Sequence, residues 1–85
     1  MERKYRTTHQ GIAAYLVMQG YEILRVEPGT NPKTGRPNVT IEFDTDYETG
    51  RQMGDAFYNG QVNGNLKEFN DAQFKVREKL REVRP

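Results

Sequence analysis

The chain has 85 residues, 34% of them apolar, and 13 basic against 12 acidic side chains give a net charge of +1. That length fits one domain, residues 1–85, with a small core, and the balanced charge argues for folding even though Ile, Leu, Val and Phe number only 17. With no Cys, no Trp, no Ser and a single His, the chain excludes disulfides, thiolate metal sites, and Ser or Cys nucleophiles.

From the N-terminus, Lys4 to Thr7 is expected to add a short edge strand. Three segments then carry a helix-start pattern, a capping Thr or Asn followed three residues later by Glu or Gln: Thr7 with Gln10, Thr45 with Glu48, and Asn65 with Glu68. The first helix is expected from His9 to Gln19, with Ile12, Ala13, Leu16 and Val17 on its apolar face and Gly20 as its stop. Tyr21 to Glu27 reads as a strand, and so does Asn38 to Asp44, where Val39, Ile41 and Phe43 alternate with Thr40, Glu42 and Asp44. Between them, Pro28 to Pro37 holds three of the four prolines and is expected to form a ten-residue hairpin tip.

The second helix is expected from Asp46 to Asn59, burying Tyr47, Met53 and Phe57 or Tyr58, with Gly50 and Gly54 inviting close backbone contact. A linker, Gly60 to Gly64, leads to a third helix in which Leu66, Phe69, Gln73, Val76, Leu80 and Val83 follow a coiled-coil-like spacing. The expected fold is α+β, order (β)αββαα: a small antiparallel sheet of two or three strands packed against three helices.

Basic residues cluster at Arg3, Lys4 and Arg6, at Lys33 and Arg36 in the tip, and along the third helix from Lys75 to Arg84. Such residues suit phosphate or carboxylate, and Arg3, Lys4, Arg6, Lys33, Thr34 and Arg36 are the candidate binding set for a partner or nucleic acid. Against nucleic acid, the pI near 8.0 falls short of the value above ~9 that marks an electrostatic binder. Glu42, Asp44 and Asp46 lack calcium-loop spacing and are explained by strand and helix-start chemistry. No cofactor or metal is called for. A lone His9 with no sequence-identifiable partner reads as a surface residue.

Phe74 lies off the seam of the third helix, so it either broadens the apolar stripe or sits at a partner surface. The thin core and the heptad-like seam put a homodimer, with Phe74, Val76, Leu80 and Val83 at its interface, on a level with a monomer. The order Ala13-Ala14-Tyr15-Leu16, Gly20-Tyr21-Glu22-Ile23-Leu24, then Phe57-Tyr58-Asn59-Gly60 and Asn65-Leu66-Lys67-Glu68-Phe69, resembles a family of small domains of unknown function from bacteriophage and bacterial genomes. That resemblance brings no catalytic residues. It implies a phage or bacterial setting in which small single-domain proteins act on host or defence machinery.

The functional expectation is a non-enzymatic binding protein that blocks or modulates a host or defence macromolecule. The alternative is a small nucleic-acid-binding protein using the basic N-terminus and the Lys33/Arg36 tip, and a third reading is capture of a small anionic ligand in a dimer cleft. The expected location is the cytoplasm, that of the host if the chain is phage-encoded. No membrane association is expected, because no run of 18 apolar residues occurs.

Overall fold

The structure, a computed structural model, describes residues 3–61 and 64–83. Val62 and Asn63 of the expected linker, and Arg84 of the basic series, lie outside the described residues. The elements run β1 (Lys4–Thr7), α1 (Gln10–Met18), β2 (Ile23–Thr30), β3 (Pro37–Asp46), α2 (Tyr47–Tyr58) and α3 (Leu66–Arg81). This is the expected α+β order, and the sheet has three antiparallel strands with β3 in the middle, β1-β3-β2.

The alternation in β3 sets the layers. Ile41, Phe43 and Thr45 are buried, while Asp44 is exposed and Glu42 half-buried on the opposite side. Phe43 and Ile41 meet Leu16 of α1 and Val76 of α3 in the core, each burial contributing about 1.5–3 kcal/mol. Helix α1 runs through the middle of the helical layer, packing on α3 and α2, and its Ile12, Ala13, Ala14, Tyr15 and Leu16 are all buried. Small Ala13 and Ala14 let its neighbours approach.

Helix α1 ends on Gly20 as expected, and α2 ends in the same way on Gly60. Gly20 (φ 98°) donates to the Val17 carbonyl and Tyr21 to that of Leu16; Gly60 (φ 72°) donates to Phe57 and Gln61 to Ala56.

Two of the three helix starts are displaced. The α1 cap is His9, whose Nδ1 accepts the Ile12 N–H at 3.1 Å, while the Thr7 hydroxyl accepts the N–H of His9. The α2 cap is Asp46, accepting from the Thr49 N–H at 3.0 Å and the Thr49 hydroxyl at 2.7 Å, because β3 runs on through Thr45 and buries it. Asn65 caps α3 as expected, its Oδ1 accepting the Glu68 N–H at 2.8 Å.

The hairpin tip is shorter than expected. Pro28, Gly29 and Thr30 pair with Val39, Asn38 and Pro37, leaving Asn31–Arg36 as the connection. Proline is tolerated because Pro28 lies on the edge strand and Pro37 is the first residue of β3. The remaining turn closes on itself: Asn31 N–H donates to Arg36 O and Gly35 N–H to Asn31 O, both at 2.8 Å.

Candidate partner-binding surfaces

The candidate binding residues do not form one site. Lys4 pairs in register with Asp46, nine residues along β3 from Pro37, so the N-terminal basic group and the tip stand about 30 Å apart. Lys33 and Thr34 are exposed in the turn, where the Lys33 N–H donates to Asn31 Oδ1 and the Arg36 N–H to the Thr34 hydroxyl. Arg36 lines a hollow of about 470 Å³ with Pro28, Val39 and Val83, so the end of α3 comes to the base of the tip.

On the open face of the sheet the basic residues are matched by acids. Lys4 Nζ lies 3.0 Å from Asp44; Arg6 bonds Glu27 and stands 3.7 Å from Glu42. Arg25 closes the network at 3.0 Å from Glu27 and 3.6 Å from Glu42. Exposed pairs of this kind contribute little to stability, about 0–1 kcal/mol each, but they cancel the positive field that would draw a phosphate backbone.

The interface candidates on α3 separate in the same way. Val76 and Leu80 are buried in the chain's own core against α1, because the apolar seam is spent on intramolecular packing. They are not available to a second copy. Val83 is half-buried, and Phe74, on the other side of the helix, is 59% exposed.

A different surface was not foreseen from the sequence. Tyr47 was expected to pack inward together with Met53 and Phe57 or Tyr58; Met53 and Phe57 do pack against the core, but Tyr47 and Tyr58 are 44% and 69% exposed. The reason lies in what α2 buries: its buried residues are Gly50 and Gly54, and the bulk between helix and sheet comes from Tyr5 of β1. With the strand supplying the ring, the helix lies flat on it and its own tyrosines stand at the margin. The glycine pair was the one signal in the sequence that could have revealed this.

Tyr47 and Tyr58 are eleven residues apart, three helical turns, and so share one side of α2 about 16 Å apart with exposed Arg51 between them. Each ring is braced. The Arg3 guanidinium sits 5.2 Å from the Tyr47 ring centroid, and Tyr5 packs at 6.4 Å on a tilt. Tyr58 meets the His9 ring edge-on at 5.4 Å and Phe57 at 6.3 Å, and Phe57 in turn stacks on Phe69 and touches buried Tyr15. Arg3, Lys4, Arg6, Glu42 and Tyr47 line a hollow of about 330 Å³ at the Tyr47 end.

Two groups near this surface have shifted acidities. Burial pushes the Tyr5 hydroxyl above its ordinary value, with smaller contributions from Tyr47, Tyr58 and Asp55, while a hydrogen bond with Thr7 works the other way. The Thr49 hydroxyl holds the Asp46 carboxyl below the usual range, helped by the Thr49 N–H.

Among the described residues no group of three His, Asp or Glu is placed to hold a metal ion, and no helix is long and apolar enough to cross a membrane. No family model, curated protein or solved structure matches the chain.

Proposed function

We propose that this chain is a non-enzymatic binding protein that recognises a protein partner through the Arg3–Tyr47–Arg51–Tyr58 face of α2. The single observation that carries this reading is the pair of exposed, braced tyrosines on one side of α2 with an arginine between them. Tyr and Arg are the side chains that most often dominate binding energy at protein interfaces, and a tyrosine held in place before contact loses little rotamer freedom on binding. A partner in a phage or bacterial cell, a host or defence protein, is what the family resemblance adds.

The matched charges on β1, β2 and β3 favour protein over nucleic acid. Lys4, Arg6 and Arg25 each stand against an acid, so a polyanion would have to displace Asp44, Glu27 and Glu42. Nucleic-acid binding is therefore the second reading, resting on Arg3 and the exposed Lys33 and Arg36.

The test is affinity capture from bacterial lysate with the native chain and with a Tyr47→Ala/Tyr58→Ala variant. Both substitutions are at exposed positions and leave the core intact. The reading expects a polypeptide retained by the native chain and lost with the variant; equal retention by both would remove the α2 face from it.

A further inference from the structure

A second apolar surface lies away from α2, between α3 and the start of β2. It is a groove of about 620 Å³ with Val17, Tyr21 and Ile23 on one wall and α3 on the other. Phe74 stands at its border, 59% exposed. An apolar surface of this kind edged by charge marks an association site.

We infer that this groove seats a second copy of the chain, α3 against α3 and antiparallel. What identifies the occupant is the order of charges on the groove side of α3: Lys75, Glu78, Lys79, Glu82. Read from either end, that order meets its own opposite. With a two-fold axis midway between Glu78 and Lys79, Lys75 of each copy faces Glu82 of the other and Glu78 faces Lys79. Each kind of pair is then made twice.

Other symmetric arrangements lose this match. A parallel two-fold sets Lys75 on Lys75 and Glu78 on Glu78. An antiparallel axis between Val76 and Arg77 keeps Lys75 opposite Glu78 but sets Glu82 against Asp71 and Lys79 against Phe74, so only half of the charges are matched. A closed two-fold interface must be self-complementary, and this register satisfies that condition where its neighbours fail.

Within the chain, Glu78 is bonded by Arg81 at 2.9 Å on an exposed flank, a contact that leaves Glu78 able to take a second cation. Glu22 on the opposite wall adds one more acid to the groove's lining. The apolar walls supply buried area, and the charges set register and exclude the wrong alignments. Val76 and Leu80 contribute by anchoring α3 to the core, so that its groove side is presented rigidly.

Sedimentation velocity of the full chain over a concentration series tests the inference. The native chain is expected to dimerise. Glu78→Lys, which places two cations opposite each other twice, is expected to raise the dissociation constant by at least about tenfold. Adding Lys79→Glu in the same chain is expected to restore dimerisation, because the exchanged charges again meet opposites, and Phe74→Ala is expected to weaken it. Circular dichroism checks that each variant remains folded. A native chain that stays monomeric throughout, a dimer indifferent to Glu78→Lys, or a double variant no better than the single one would each overturn the inference. The Tyr47→Ala/Tyr58→Ala variant is expected to dimerise like the native chain, so the two surfaces are tested separately.

Discussion

The Tyr5 ring lies directly on the α2 backbone at Gly50: a Cβ at that position would fall 2.6 Å from Tyr5 Cδ1 and closer still to Cγ and Cβ. This contact joins β1 to α2 and fixes which side of the helix faces solvent. Gly54, one turn on, is less constrained, since a Cβ there would stand 3.2 Å from the Tyr5 hydroxyl and 3.6 Å from Ile12 Cδ1.

Gly50→Ala is expected to destabilise the fold even though alanine is the better helix former by about 1 kcal/mol. The added methyl meets the root of the Tyr5 side chain, which cannot swing away, and overpacking of this kind costs roughly 1–3 kcal/mol. Gly54→Ala meets the far end of the same side chain and is expected to be much milder. Thermal unfolding of the two variants checks the contrast; equal transition temperatures would show that α2 does not rest on Tyr5 as described.

The raised pKa of Tyr5, caused by its burial, makes a prediction at alkaline pH. A folded-state value above the unfolded one, near 10, means that this contribution is fully present below about pH 10 and is lost as pH rises through the folded value. Part of the alkaline loss of stability is therefore expected to disappear in Tyr5→Phe. Unfolding midpoints of the two chains across that range provide the measurement, with parallel curves as the contrary result.

Asp46 predicts the opposite limb. Its carboxyl is held below the ordinary value by Thr49, so its stabilising effect is present above the unfolded value, about pH 4, and is lost as pH falls through the folded one. Asp46→Ala removes the α2 cap and is expected to lower the transition temperature near neutral pH by on the order of 5 °C, with the difference shrinking in acid. A difference that stays constant from neutral to acid pH would separate the cap from the Asp46 charge.

The element order, the inward side of β3 and the Gly20 stop of α1 were all readable from the sequence, because alternation and a left-handed glycine are local signals. The misplacements have local causes too. Thr45 looks like a cap until β3 extends two residues further, to Asp46, and buries it, passing the role to Asp46. The tip looks ten residues long because prolines read as loop, yet an edge position and a strand start both accept them. What no window of the sequence contained was the meeting of Tyr5 with Gly50, 45 residues away, and that contact decides that Tyr47 and Tyr58 face outward. The pairing of Lys4 and Arg6 with Asp44, Glu42 and Glu27 was hidden for the same reason: it follows from strand register across the sheet.

The most direct test of the α2 recognition face is photo-crosslinking in bacterial cells, with a benzophenone side chain replacing Tyr58 in one chain and Lys33 in another. An adduct of defined mass with a cellular protein is expected from position 58 and none from the tip. Adducts from position 33 alone, or from neither position, would rule out recognition through the α2 face.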